Sequence, residues 1–162
     1  MEKSGKGPEE IDLILVATST PDYLVCSTAA LTQDKIGAKN AWGFDIAAAC
    51  SGFIFALETA SKFIESGRYK NAIVIGADTM SSIIDYTDRD TRVIFGDGGG
   101  GVLLESSDDD VGILDSILYT DGSGSRYLNV PAGGSAHPTS KDTVDKRMHF
   151  VHQDGKPIFK FA

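Results

Sequence analysis

Basic residues are in the minority here: 15 lysines and arginines stand against 23 aspartates and glutamates, a net charge of -8. Binding to nucleic-acid phosphates needs a basic face, so this balance argues against a nucleic-acid partner. Keeping an ordinary surface in solution accounts for the charge. Cysteine is scarce as well. The two thiols, Cys26 and Cys50, make no disulfide framework and fit a reducing cytoplasm. No cysteine and histidine cluster has metal-ligand spacing, so no zinc site is expected. No apolar run approaches the ~18 residues that a membrane span requires. The polar start, Met1 to Pro8, does not read as a signal peptide.

What is present is globular composition. The 162 residues are 41% hydrophobic and 23% charged, enough for one ordinary domain. The 18 glycines cluster at 96–101 and 122–134, which suggests tight turns. Residues 1–10 read as a flexible lead. Ile11-Asp-Leu-Ile-Leu-Val-Ala-Thr18 is a nearly continuous apolar run, as in a strand buried on both faces. Ser27 is placed to cap a helix running to Ile36, with Gly37 ending it. A short strand over Trp42–Ala47 and a long helix from Cys50 to Ser66 follow. Asn71–Ala77 reads as another buried strand. Gly98–Glu105 and Gly112–Thr120 read as an antiparallel hairpin around the acidic turn Ser107–Asp110. Alternating strands and helices make an α/β layered domain. The Cys50 helix is apolar nearly all round in its first half, which predicts a buried helix with its N-terminus as the deeper end. The polar, glycine-rich stretch from Ser123 to Lys146 reads as a loop or linker. Ile158–Ala162 reads as a first helical turn.

The chemistry concentrates at Cys50, where a strand hands over to that helix in Asp45-Ile-Ala-Ala-Ala-Cys-Ser-Gly-Phe53. A helix N-terminus favours a thiolate, and unpaired backbone N–H groups there can hold an oxyanion. From the residues alone, a nucleophile and a small buried core thiol are both open readings. The glycine run 96–101 is not followed by the Gly-Lys-Ser/Thr of a phosphate loop. It fits close packing of a strand beneath a site.

Ala47-Ala-Ala-Cys-Ser-Gly-Phe53, Gly76-Ala-Asp78, Asp85-Tyr-Thr-Asp-Arg-Asp-Thr91 and Phe95-Gly-Asp-Gly-Gly-Gly-Gly101 stand in one order, with Val16-Ala-Thr-Ser-Thr20 upstream. Together they resemble the ketoacyl-acyl-carrier-protein synthase III family, from Ile11 to Ala162. The resemblance implies a partial thiolase-like layered fold, with a mixed five-stranded-type sheet and a buried nucleophile helix. The implied division is an incomplete N-terminal half over 1–122, a linker over 123–148, and the start of a C-terminal half over 149–162. The implied reaction is acylation of Cys50 by acyl-CoA, then decarboxylative condensation with malonyl-acyl-carrier-protein. No cofactor beyond the substrates' phosphopantetheine is implied, and the implied state is a cytoplasmic homodimer, joined near Asn40–Ala47 and Tyr23–Ser27.

By position, Phe95 resembles an aromatic wall near the thiol, and Arg89 an arginine stacked on the CoA adenine. Leu24 and Val25 resemble a loop bordering the partner's acyl pocket. Lys160 falls near the mouth where phosphopantetheine and the acidic carrier approach. Each has a plainer reading: a surface ion pair of Arg89 with Asp85, Asp88 or Asp90, a core Phe95, ordinary loop residues, a solvated lysine. The family's histidine context, Pro-His-Gln-x-Asn, and asparagine context, Gly-Asn-x-Ser, are absent from this sequence. His137, His149 and His152 stand in unrelated surroundings. The chain is therefore expected to be a central part of the parent protein, and by itself unable to condense. The competing expectations are another thiolase-fold synthase and a non-enzymatic CoA-binding or dimer-partner protein.

Overall fold

The computed structural model describes residues 4–109 and 111–161. Asp110 of the expected acidic turn, residues 1–3 of the expected lead, and Ala162 lie outside the described residues. Two units emerge, residues 4–78 with Gly98–Leu118, and Thr79–Asp97 with residues 119–161.

The first unit is organised by strand β1 (Leu13–Ala17), in which every residue is buried. Its side chains alternate between two cores, as strand geometry requires. Leu13, Leu15 and Ala17 enter one core, while Ile14 and Val16 enter the other. Each of the larger ones contributes about 1.5–3 kcal/mol by leaving water. Helix α1 (Thr28–Ile36) begins where the Ser27 hydroxyl accepts the Ala30 N–H, and it ends at Gly37 in the left-handed region at φ 73°. Strand β2 (Trp42–Ile46) pairs parallel with β1. Helix α2 (Gly52–Glu65) follows, then strand β3 (Asn71–Asp78), parallel to β1 on its other side. Strand β4 (Gly98–Glu105) pairs antiparallel with β3, so the sheet order is β2-β1-β3-β4. The α1 residue Ala29 packs in one core and the α2 residues Ala56 and Ala60 in the other, so the sheet is covered on both faces.

The expected α/β class with a mixed sheet holds. Among the described residues the main sheet has four strands, and the expected fifth at 112–120 is not formed. That segment lies unpaired with Leu114, Ile117 and Tyr119 exposed, because no strand or helix covers the face they would present. The helix after Cys50 is also not buried all round. Only Gly52, Ala56, Ala60 and Ser61 are buried, and Ile54 is exposed. Small residues four apart make a ridge flat enough to sit on the sheet, and a ridge uses only one helix face. Nor are residues 4–10 of the lead loose: Lys6 Nζ lies 2.9 Å from Glu105. Asn40 Nδ2 donates to the Glu9 carbonyl, and Ile11 is fully buried.

The second unit carries elements where a loop was expected. A 3-10 turn at Gly122–Tyr127 leads into strand β5 (Leu128–Asn129). Helix α3 (Lys141–Asp145) is capped by Ser140, whose hydroxyl accepts the Thr143 N–H. Strand β6 (His152–Gln153) pairs antiparallel with β5, and helix α4 (Gly155–Phe161) follows. Among the described residues, no helix is long and apolar enough to cross a membrane.

Candidate active site

In an open sheet with helices on both faces, ligands bind outside the carboxyl ends of the parallel strands. Three loops gather there in the first unit: 18–27 after β1, 47–51 after β2, and the end of β3 at Asp78. Cys50 stands in the second of these, in a 3-10 turn at Ala49–Ser51 that runs directly into α2. Its thiol is exposed, which removes the core-thiol reading. Ala49, one residue earlier, holds φ 45°, a left-handed conformation that disfavours a residue with a Cβ. Gly52 then lets α2 approach β1, since a Cβ there would stand 3.0 Å from that of Ala17.

Carboxylates organise these loops. Asp45 of β2 accepts the Thr28 and Ala29 N–H groups at 2.7 and 2.8 Å, two of the unpaired donors at the start of α1. Asp22 accepts from the Thr28 hydroxyl at 3.1 Å. Both ends of the 22–28 loop are thus fixed, while its tip carries Leu24 at 91% and Val25 at 100% exposure. Asp78 accepts the Ser19 N–H at 2.7 Å and the Thr20 hydroxyl at 3.2 Å. Removing the Asp45 carboxylate strands two donors. Asp45→Ala should cost about 1–2 kcal/mol and speed proteolytic cleavage at the 22–27 loop. Unchanged denaturant midpoint and cleavage rate would show the cap to be dispensable.

Arg89, Phe95 and Lys160 belong to the second unit. Arg89 and Lys160 are exposed, and Phe95 is half-buried, not core. Arg89 makes no ion pair among the described residues, so the expected surface pair with its acidic neighbours is not formed. Two of those acids are engaged elsewhere. Asp88 accepts from the Thr91 hydroxyl at 2.6 Å and from the Asp90 N–H at 3.0 Å. Its pKa is lowered, chiefly by the Thr91 hydroxyl. Asp85 is held by Arg147 at 2.7 Å. The Arg147 guanidinium, then the Thr87 hydroxyl, bring its pKa from the ordinary 3.8 down to about 2. A depressed carboxylate pKa stabilises the fold above its unfolded value, and this contribution is lost as the pH falls through about 2. Asp97, beside Phe95, accepts the Ser81 N–H and hydroxyl at 2.7 Å each, and these bonds lower its pKa.

An open groove of about 700 Å³ lies on this unit. Asp90 and Ile94 form one wall, and His152, Gln153 and Lys156 of β6 and α4 form the other. Among the described residues, no group of three or more histidines, cysteines or acids is arranged to hold a metal.

The sequence alone marks no role for Asp45, Asp78 or Arg147, and suggests for Asp85 only a pair with Arg89. A lone acid inside or ending a buried strand is the signal for the first two. Asp85 and Arg147 stand 62 residues apart, and nothing local marks them as partners.

The family model described as 3-oxoacyl-[acyl-carrier-protein] synthase III matches residues 44–122. That stretch holds Cys50, Arg89 and Phe95, and leaves Leu24, Val25 and Lys160 outside. The beta-ketoacyl-[acyl-carrier-protein] synthase III of Chlorobium phaeobacteroides is 61% identical over 157 residues, 96% of this chain and 48% of that protein. The protein of the same name from Chlorobium phaeovibrioides is 58% identical over 164 residues, all of this chain and 50% of its own. The crystal structure of 3-oxoacyl-[acyl-carrier-protein] synthase III from Aquifex aeolicus superposes with a TM-score of 0.84 at 40% identity, covering 99% of this chain and 47% of that one. The chain therefore spans about half the length of the curated relatives it matches. On motif, fold and identity together, it belongs to the 3-oxoacyl-[acyl-carrier-protein] synthase III family.

Proposed function

We propose that this chain is the acyl-accepting part of a protein that performs the first condensation of fatty-acid synthesis, with Cys50 as the nucleophile. The observation that carries this is the exposed thiol on a strained turn at the N-terminus of α2, beyond the carboxyl ends of the parallel strands. The helix dipole stabilises negative charge at that end. The Cys50 sulfur attacks the carbonyl carbon of an acyl-CoA thioester. The tetrahedral intermediate collapses, the carbon to sulfur bond of CoA breaks, and the CoA thiolate leaves and takes up a proton. Malonyl-acyl-carrier-protein then loses carbon dioxide, and its carbanion attacks the Cys50 thioester. The new carbon–carbon bond gives 3-oxoacyl-acyl-carrier-protein and frees the thiol.

The groove beside Asp90 and Lys156 takes the phosphopantetheine arm, with Arg89 stacked on the CoA adenine and Lys160 at the mouth where the acidic carrier approaches. Phe95 is a further substrate-binding residue. No cofactor takes part. The working state is a cytoplasmic homodimer: among the described residues the outer edge of β2 is unpaired, and Trp42 at its start is 40% exposed. An unpaired edge invites a second strand. Leu24 and Val25 then border the partner's acyl pocket. Residues 1–122 form part of the N-terminal half, and 149–162 the start of the C-terminal half, joined by 123–148.

Two groups that assist decarboxylation, a histidine and an asparagine in the family's contexts, are absent from this sequence. The 162-residue polypeptide should therefore stop at the acyl-enzyme. Mixed with acetyl-CoA and malonyl-acyl-carrier-protein, it should carry one acetyl group and release no 3-oxoacyl product. Steady turnover would refute the predicted incompetence, and absence of any acyl adduct would refute the acceptor role.

A further inference from the structure

The segment that carries Arg89 and Phe95 is held at one point by a residue far away in sequence. Arg147 Nε donates to Asp85 Oδ2 at 3.1 Å, and its Nη2 lies 2.7 Å from Oδ1. This is the two-pronged geometry that a guanidinium offers a carboxylate and an ammonium cannot. The same Oδ1 accepts the Thr87 N–H at 2.9 Å and the Thr87 hydroxyl at 2.6 Å. The carboxylate therefore closes its own turn while bound to Arg147.

Arg147 is prepared for that role. Its φ of 55° is left-handed, which a non-glycine residue holds only when its surroundings impose it. Its N–H donates to the Val144 carbonyl at 2.9 Å, joining it to the end of α3. Its guanidinium lies 4.9 Å from the centre of the Phe150 ring. Beside the ion pair, Val151 N–H donates to the Ile83 carbonyl at 2.8 Å, and Ile84 and Val151 are both buried. A single exposed salt bridge would contribute little. Here the Arg147 side chain is 54% exposed but that of Asp85 only 17%, and the Val151–Ile83 backbone bond ties the neighbouring residues.

The result bears on Arg89. Asp85 is occupied by Arg147, Asp88 by Thr91 and the Asp90 N–H, and Arg92 Nη1 donates to the Tyr86 carbonyl at 3.0 Å. Asp85, Asp88 and Arg92 each have another partner, and Arg89 is left exposed.

We propose that Asp85 and Arg147 form a clasp that holds the 85–95 segment in the shape that presents Arg89, making Arg147 a positioning residue for the nucleotide end of acyl-CoA. This rests on the function proposed above. The test uses Asp85→Asn, Arg147→Gln, Arg147→Lys, the double variant Asp85→Asn/Arg147→Gln, and Arg89→Ala. It reads amide hydrogen exchange over 85–95, the dissociation constant for CoA, and the Cys50 acylation rate at saturating acyl-CoA. Each clasp single should raise exchange and weaken CoA about fivefold, with the saturated acylation rate unchanged. The double variant should match either single, because the two act as one unit. Arg147→Lys should behave like Arg147→Gln, since it keeps the charge and loses the fork. Arg89→Ala should weaken CoA and leave exchange unchanged. Unchanged exchange, additive singles, or full rescue by lysine overturns the clasp. Coupled exchange in a chain that binds no CoA keeps the clasp and overturns the functional reading beneath it.

Discussion

Cys50→Ala should abolish acylation by acyl-CoA, a loss of at least ~10³-fold in labelling rate. Cys26→Ala should leave that rate unchanged. Both thiols are exposed, so exposure alone does not separate them. Position does. Cys26 sits at the tip side of the 22–28 loop and only reaches the Ser27 carbonyl, at 3.9 Å. Cys50 sits where a left-handed residue turns the chain into a 14-residue helix, whose dipole favours an anion. Intact mass after incubation with acyl-CoA, followed by peptide mapping, reads the result. Cys50→Ser keeps the shape but offers a far weaker nucleophile, so it should lose nearly as much. A purely CoA-binding or dimer-partner protein makes the opposite forecast, since it has no use for the thiol. An adduct that persists in Cys50→Ala and maps to Cys26 would sink the assignment.

Gly43→Ala should be the most destabilising single substitution in β2, costing ~3 kcal/mol or more. A Cβ at Gly43 would fall 2.2 Å from the Ile14 carbonyl oxygen, 3.1 Å from its carbon and 3.3 Å from the Ala29 methyl. The obstacle is backbone, so no rotamer change relieves it. Ile14 is paired with Gly43 on one side and with Ile73 on the other, so β1 cannot shift without loosening both ladders. A loss of that size is a large part of the ~5–15 kcal/mol that a domain has in total. Function should fall with it, because β2 carries Asp45 and leads straight to Cys50. The urea midpoint of Gly43→Ala against the parent measures the effect. An unchanged midpoint would mean that the β1–β2 register differs from Ile14 opposite Gly43.

Much of the first unit was legible in local chemistry. The apolar run at 11–18 reads as a strand buried on both faces, and β1 is that strand. Ser27 and Gly37 bracket α1 because a hydroxyl cap and a left-handed glycine are local devices. The failures share a cause. The stretch 112–120 has strand composition, but a strand needs a partner edge, and composition does not say whether one is supplied. The first half of α2 is apolar enough to be buried all round, but burial depends on what packs against it, and only one face of the helix met the sheet, leaving Ile54 exposed.

By itself, then, the sequence determined the alternation of strands and helices, the thiol at a strand-to-helix junction, and the ordered motifs that mark the family. These depend on neighbours within a few residues, where spacing and side-chain chemistry decide. Tertiary structure alone decided that Cys50 is exposed and that Asp45 ties the Leu24 and Val25 loop to the strand before the thiol. It also decided that Arg147 pairs with Asp85, 62 residues away, and that Arg89 is exposed. Those outcomes depend on which distant groups meet, and a chain fixes such meetings only when burial and hydrogen bonding are satisfied everywhere at once.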